Sequence, residues 1–172
     1  MKEQLEQVIP KVSTNGCLEA ISDLEFGIYD SETKRSYRQT DPNGIIHFTV
    51  ENPNRKEIHF LAIDKCLFDD SEPIERCDFA VFDNRTFAFV EIKETDSSIQ
   101  RSAHNRKAKS QLKATIEFFQ NSISFTVKHL EAYVCVGTTE SRPARRASDL
   151  NEILEFEQLG VALYHGNRKR FT

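Results

Sequence analysis

The sequence lacks tryptophan altogether and has a single methionine, six glycines and five prolines among 172 residues. Without tryptophan, the thirteen phenylalanines must supply most of the large side chains of a core. No apolar run approaches the length of a membrane span, and the charged first ten residues lack the apolar stretch of a signal peptide. We therefore expect one soluble, cytoplasmic domain that does not enter a membrane, with a core of ordinary size.

Cysteine is scarce and scattered: the four residues are Cys17, Cys66, Cys77 and Cys135. No two of them form a C-x-x-C pair, so their spacing argues against a zinc site. In a cytoplasmic protein, cysteines of this kind are expected to be reduced thiols in the core. The sequence also shows no internal repeat, low-complexity stretch or linker.

Charge is unevenly distributed along the chain. The net charge is −4, which alone argues against a polyanionic partner. However, residues 1–100 hold 11 Lys/Arg against 20 Asp/Glu, whereas residues 101–172 hold 12 against 7. The C-terminal part is therefore basic, and a nucleic-acid partner stays open.

The most informative stretch is residues 77–94, CDFAVFDNRTFAFVEIKE. Its two apolar runs predict neighbouring strands, joined by turn residues at 83–86. Three charged residues, Asp78, Glu91 and Lys93, interrupt the apolar pattern. Because side chains alternate along a strand, Glu91 and Lys93 share one face.

The register of this hairpin decides whether the two acids meet. With a loop of two residues, Asn84 and Arg85, or of four, Asp78 lies opposite Glu91; a three-residue loop would separate them. Opposed residues lie about 4.5–5.5 Å apart, and like charges there are destabilising unless a cation lies between them. The pattern therefore predicts a divalent metal site.

The residues of this site suit phosphodiester hydrolysis. Mg²⁺ or Mn²⁺ would be held by Asp78, Glu91 and the backbone carbonyl of Ile92, and would polarise the phosphoryl group. Lys93 could deprotonate or orient the attacking water, or stabilise charge in the transition state. The alternative is a solvated strand face with a weak ion pair.

The remaining periodicity predicts an α/β protein: a mixed β-sheet flanked by helices, with an N-terminal antiparallel β-meander. A strand at 57–68 precedes the hairpin, and a basic tail follows residue 165. Helices are expected at 2–9, 17–24, 99–120 and 149–159, and further strands at 26–29, 36–39, 45–50, 129–136 and 161–164.

Asp78 followed by Glu91-Ile92-Lys93 resembles the PD-(D/E)XK nuclease superfamily, which has the restriction-endonuclease-like fold. The resemblance covers about residues 58–164, with Cys77 where the family motif has proline. It implies acids on neighbouring strands, then a helix, a strand and often a further helix and strand. It also implies a metal-dependent nuclease, acting on DNA more readily than RNA, in one domain with its core at about 57–165 and a β-rich extension at about 1–56.

Two further residues, Gln111 and Glu19, are similar to functional positions of that superfamily. Gln111 resembles the helix-borne Gln-Leu of RecB-type members, although Thr115 stands where many of them have an aromatic residue. Members commonly use an acid upstream of the core, for which Glu19 is the candidate. Asp64, which interrupts an apolar strand, is either a further metal ligand or the point where that strand leaves the core.

Basic residues follow the predicted site on the long helix. Such runs are usually solvated faces, but the position of this one favours contact with phosphates. Two smaller basic clusters lie at 142–146 and 168–170, and no aromatic residue is interleaved with the helical bases, so base stacking has no support there. The helical residues are Arg101, Arg106, Lys107, Lys109 and Lys113.

Two other functions fit the same sequence. In the first, the fold is a catalytically inactive module that binds nucleic acid or serves in an assembly. In the second, the chain is an interaction protein with an immunity role, whose acidic first hundred residues face a basic partner protein. The chain also lacks an obvious specificity domain, so we expect a homodimer or a targeting partner.

Overall fold

The computed structural model describes residues 1–69, 71–72, 74–95, 97–137 and 144–172. The described chain is a mixed α/β structure with two sheets and four helices. In chain order the elements are α1 (Lys2–Val8), α2 (Lys11–Thr14), β1 (Leu18–Ile21), β2 (Glu25–Asp30), β3 (Ser36–Arg38), β4 (Phe48–Glu51), β5 (Ile58–Ala62), β6 (Phe79–Phe82), β7 (Thr86–Glu94), α3 (Ser98–Ser122), β8 (His129–Gly137), β9 (Arg145–Arg146), α4 (Leu150–Glu157), β10 (Ala162–His165) and β11 (Arg168–Arg170).

The larger sheet has seven strands in the order β1-β5-β6-β7-β8-β10-β9. In this sheet, β1, β5, β6 and β7 pair antiparallel in that order. Strands β7, β8 and β10 then pair in parallel, and β9 pairs antiparallel with β10 at the edge. Helix α3 makes the crossover from β7 to β8, and α4 precedes β10. The expectation of a mixed sheet flanked by helices is confirmed.

The central hairpin has the two-residue loop on which the predicted site depends. Phe82 pairs with Phe87, and the Asp83 amide donates to the Thr86 carbonyl at 3.0 Å. The Asp83 side chain also accepts from the amides of Arg85 and Thr86, both at 2.8 Å. This side-chain cap explains why Asn-Arg, a weak turn pair, still forms a tight turn.

The smaller sheet has the order β11-β4-β2-β3, which corrects two predictions. The N-terminal strands do not form a meander, because β4 returns to the other side of β2. The connecting loop crosses closely over Gly27, where a Cβ would lie 2.7 Å from Ile46 Cγ1. The expected basic tail is also partly a strand, since β11 pairs in parallel with β4.

The helix predicted over residues 17–24 is wrong, because β1 occupies this stretch and pairs antiparallel with β5. The pattern misleads because Ile21 is buried against the sheet while Glu19 and Ala20 remain exposed. The expectation of four reduced thiols is also wrong for two cysteines. Cys17 and Cys66, at the start of β1 and beyond β5, form a disulfide with a Cα–Cα distance of 5.8 Å.

The core lies on both faces of the larger sheet. On one face, Phe119 of α3 packs against Phe87 and Phe89, with ring centroids 6.1 and 5.5 Å apart. On the other, Phe48 of the smaller sheet contacts Phe79 edge-on at 5.6 Å. Within the described part of the chain, no helix has the length and apolar character needed to cross a membrane.

Candidate active site

The two acids of the predicted site are buried on neighbouring strands. Asp78 directly precedes β6, and Glu91 lies in β7; the hairpin register, continued by one residue, places them opposite each other. Asp78 is 5% exposed and Glu91 is fully buried. The Asp78 Oδ2 accepts a hydrogen bond of 2.6 Å from the Ile92 amide, which ties the acid to β7.

Glu91 is only half satisfied. Its Oε1 forms an ion pair with the Lys93 ammonium, while its Oε2 is buried without a hydrogen-bond partner among the described residues. The Lys93 side chain is 18% exposed, so the pair reaches the surface through Lys93. Because an unpaired buried carboxylate oxygen is costly, this atom marks a position where a cation or a proton would be stabilised.

The pKa values of the acids reflect this environment. Burial, followed by the nearby charge of Asp30, raises the pKa of Asp78 to about 7. Burial and the charge of Asp78 raise the pKa of Glu91 well above its usual value. Burial lowers the pKa of Lys93, but the Glu91, Asp78 and Asp30 carboxylates together more than offset this, so the net shift is upward. Burial therefore disfavours the ionised form of both acids, and the charge of Lys93 offsets part of this cost.

Asp30 is an acid of this site that the sequence analysis missed. It ends β2 in the smaller sheet, yet its charge acts on both Asp78 and Lys93. Its Oδ1 is buried without a hydrogen-bond partner among the described residues, and burial raises its pKa. The sequence shows an acid at the end of an apolar strand, but it does not show which part of the larger sheet that acid would approach.

His47 fixes the position of Asp30 against the larger sheet. Its Nδ1 accepts from the Asp30 amide at 2.8 Å. Its Nε2 lies in close contact with the carboxylate of Glu94, the residue after Lys93. The smaller sheet is therefore attached to β7 beside the buried acids.

Gln111 lies behind the strand that carries Asp78. Its Nε2 donates to the Arg76 carbonyl at 2.8 Å, while its Oε1 is buried without a described partner. One turn further along α3, the Thr115 hydroxyl accepts from the Cys77 amide at 2.7 Å. These contacts place both side chains where they can position the β6 start, and no contact between Gln111 and the two acids is observed.

The five basic residues of α3 separate into two groups. Lys109 and Lys113 form ion pairs with Glu152 and Glu155 of α4, at 2.6 and 2.9 Å. In contrast, Arg106 and Lys107 are exposed. Arg101, also exposed, has its guanidinium 3.6 Å from the position that a Cβ on Gly137 would occupy, and Gly137 pairs with Glu94 at the end of β7.

The two other acids predicted as candidates are engaged elsewhere. Glu19 lies on β1, two strands from β6, and pairs with Arg38 at 3.0 Å. Asp64 accepts from Arg76 Nε at 2.5 Å and from the Lys65 amide at 2.9 Å. Its charge still raises the pKa of Asp78 and Glu91, although it is a minor cause of both shifts.

The described residues offer two carboxylates, fewer than a complete metal site. Among the described residues, no three His, Cys, Asp or Glu side chains are placed to hold a metal ion. Mg²⁺ usually takes one or two carboxylates and draws its other ligands from water and substrate phosphates. The buried oxygen of Glu91 that lacks a partner and the opposed Asp78 meet this smaller requirement.

Comparisons with known proteins leave the family open. No protein-family model matches the chain, and neither a curated protein nor a solved structure matches it. The function must therefore be argued from the buried acids and their surroundings.

Proposed function

We propose that the protein is a metal-dependent nuclease of the PD-(D/E)XK type, with a restriction-endonuclease-like core. The observation that carries the proposal is the burial of Asp78 and Glu91 on adjacent strands, with one Glu91 oxygen lacking a partner and Lys93 beside it. The strand order supports it too. An antiparallel run ending in β7, then α3, parallel β8, α4 and β10, is the element order that the resemblance implies.

The residues divide the chemistry between them. Asp78 and Glu91 would hold Mg²⁺ or Mn²⁺ together with the Ile92 carbonyl, and the ion would supply a Lewis acid for the phosphoryl group. Lys93 has its pKa raised by Glu91, so it is protonated and better suited to stabilise negative charge than to act as a base. Asp30 adds negative charge that favours a cation, and Arg101, Arg106 and Lys107 are available to contact phosphates.

A cleavage assay tests this proposal. Fluorescently labelled duplex and single-stranded oligonucleotides, DNA and RNA, would be incubated with Mg²⁺, with Mn²⁺ or with EDTA. We expect cleavage of DNA that requires the metal and falls by about 100-fold or more in Glu91→Gln and Lys93→Met. Glu117→Gln on α3 and Lys128→Met, both exposed, are the matched controls. Cleavage that persists in EDTA and in both site variants would refute the mechanism.

A catalytically inactive binding module is the second candidate. The ion pair between Lys93 and Glu91 satisfies half of the site without a metal, and the described residues contain no three-ligand group. In that case the protein would shift oligonucleotides in a gel and cleave none of them with Mg²⁺, Mn²⁺, Ca²⁺ or Zn²⁺. Metal-dependent cleavage by the wild type that Glu91→Gln abolishes would exclude this candidate.

A further inference from the structure

A pocket of about 370 Å³ lies between the two sheets, away from the buried acids, and its walls combine aromatic rings with cations. Its volume falls at the lower end of the range of small-ligand sites. The walls come from β4, β8, β10 and β11, so they unite segments that are distant in sequence. The lining residues used below are Glu51, Glu131, Tyr133, Tyr164, Lys169 and Arg170.

A ladder of rings leads from the core into this pocket. Phe48 contacts Tyr133 edge-on, and Tyr164 stacks on Tyr133 with centroids 5.1 Å apart and planes 14° apart. Tyr133 is 3% exposed, whereas Tyr164 is only partly buried and is the outermost ring. Tyr164 is therefore a rigid aromatic surface held at the pocket by rings beneath it, which is what base stacking requires.

The charges around Tyr164 leave cationic groups in reach of a phosphate. Glu131 is satisfied by Lys169 Nζ and by the Tyr133 hydroxyl, both at 2.7 Å. Arg170 is 3.9 Å from Glu51 and its side chain is 62% exposed, so most of its donors face solvent. Arg146 lies opposite Tyr164 on the edge strand β9; one guanidinium nitrogen contacts Glu157 at 3.2 Å, and the side chain is 60% exposed.

We propose that this pocket binds an unpaired nucleotide of a DNA strand, with the base stacked on Tyr164 and the adjoining phosphates contacted by Arg170 and Arg146. The choice of a nucleic-acid ligand rests on the proposed function. The rings and cations that carry the proposal are separate from Asp78 and Glu91. Tyr133 pairs with Val90 in the sheet, and Tyr164 pairs with Tyr133 on the next strand, about 10 Å from β7 at normal strand spacing. The side chains of Val90 and Glu91 point to opposite faces.

No aromatic residue is interleaved with the basic residues of α3, and the fold supplies an aromatic side chain elsewhere. Strand pairing places Arg146 of β9 beside Tyr164, whereas β11 follows β10 in the chain and pairs with β4 of the smaller sheet. Arg142, a member of the basic cluster predicted at 142–146, lies outside the described residues.

Fluorescence anisotropy with a labelled single-stranded oligothymidine tests the pocket. The assay would be run in EDTA, where metal-dependent cleavage cannot occur, so the result does not depend on the nuclease activity. We expect Tyr164→Ala to weaken binding by about 10-fold or more and Tyr164→Phe to retain it, since one stacked base contributes that much. We expect Arg170→Gln to weaken binding several-fold and to reduce the salt dependence by about 0.7 in the log–log slope.

Arg55→Gln, an exposed arginine outside the pocket, is the matched control and should bind as the wild type does. Circular dichroism and melting curves would show that each variant folds. Wild-type binding by both Tyr164→Ala and Arg170→Gln would overturn the proposal. Equal affinity for a blunt duplex and the single strand would overturn it too. So would displacement of the oligonucleotide by an equal concentration of free thymidine monophosphate, because a free nucleotide lacks the adjoining phosphates. Tyr164-dependent binding without any cleavage under Mg²⁺ would support this pocket and refute the nuclease function.

Discussion

Asp78 and Glu91 lie where carboxylates reduce the stability of a fold. Both are buried, the charge of Asp78 raises the pKa of Glu91, and Lys93 forms its ion pair with Glu91. A raised carboxyl pKa means that ionisation costs folding free energy. Such an arrangement is typical of functional sites, where stability is lost in exchange for binding a cation.

This burial predicts a specific pH dependence. The pKa of Asp78 is about 7 in the folded protein and 3.8 by reference, so the folded state keeps a proton that the unfolded state releases. The contribution is fully present below about pH 4 and is lost as the pH rises to about 7. At about 1.36 kcal/mol per pKa unit, the loss is on the order of 4 kcal/mol.

Asp78→Asn should remove this loss, because asparagine does not titrate and can still accept from the Ile92 amide. In urea denaturation with EDTA, the stability of Asp78→Asn relative to the wild type should rise between pH 4 and pH 8. Glu117→Gln, which alters an exposed carboxylate, should run parallel to the wild type. A constant difference between Asp78→Asn and the wild type across this range would contradict the assigned pKa.

Asp30 gives a second prediction at this scale. Asp30→Asn removes a partly buried negative charge whose Oδ1 lacks a partner among the described residues and whose Oδ2 lies 3.8 Å from Lys34 Nζ, so the melting temperature at pH 8 without metal should rise by about 2–4 °C. The same change weakens the attraction of the site for a cation. The increase in melting temperature on adding Mg²⁺ should therefore be smaller than in the wild type.

Differential scanning fluorimetry with and without about 10 mM Mg²⁺, enough to saturate a weak site, measures both effects. Glu32→Gln, an exposed acid two residues away in sequence, is the control and should respond to Mg²⁺ as the wild type does. An Mg²⁺ response of Asp30→Asn equal to that of the wild type would remove Asp30 from the cation site.

Among the elements, α3 holds the acid-bearing strand in place through side chains on one face. Thr115 accepts from the Cys77 amide, and its own hydroxyl donates to the Gln111 carbonyl at 2.9 Å. Thr115 stands where a RecB-type member would commonly have an aromatic residue. In this chain the position satisfies a buried backbone donor next to Asp78.

Thr115→Val should therefore destabilise the protein by about 1–3 kcal/mol, because the Cys77 amide is left buried without an acceptor. Thr115→Ser keeps the hydroxyl and should lose only the packing of one methyl group, about 1 kcal/mol. Guanidinium denaturation at fixed pH compares the two variants. Equal stability of the valine and serine variants would show that this hydrogen bond does not hold β6 to α3.

Local chemistry explains which elements the sequence could predict. The β6-β7 register follows from Asp83 and the alternating phenylalanines, and α3 follows from its length and from Ser97, which caps it by accepting from the Gln100 amide. The order of β2, β3 and β4 and the pairing of β11 depend on contacts across the fold. Asp30 could not be predicted for the same reason, since its position near Asp78 depends on how the smaller sheet packs and not on the local sequence of β2.

At the scale of the whole molecule, the smaller sheet is part of the same core as the larger one. Phe48 packs between Phe79 and Tyr133, and His47 contacts Glu94. The last described strand, β11, returns the chain to this sheet and places Lys169 on Glu131. Both the acid site and the pocket lined by Tyr164 therefore depend on how the two sheets pack.

The disulfide between Cys17 and Cys66 predicts a thiol count that differs from that of a fully reduced chain. Cys77 and Cys135 are free and buried, so protein unfolded without a reductant should show two thiols, and four after reduction. Cys17→Ser should show three without reduction, because Cys66 loses its partner. The bridge closes a separation of 49 residues, and its loss should cost about 4 kcal/mol by chain entropy. Four thiols before reduction, in protein purified without reductant, would show that the pair stays reduced, as the expectation of a cytoplasmic location requires.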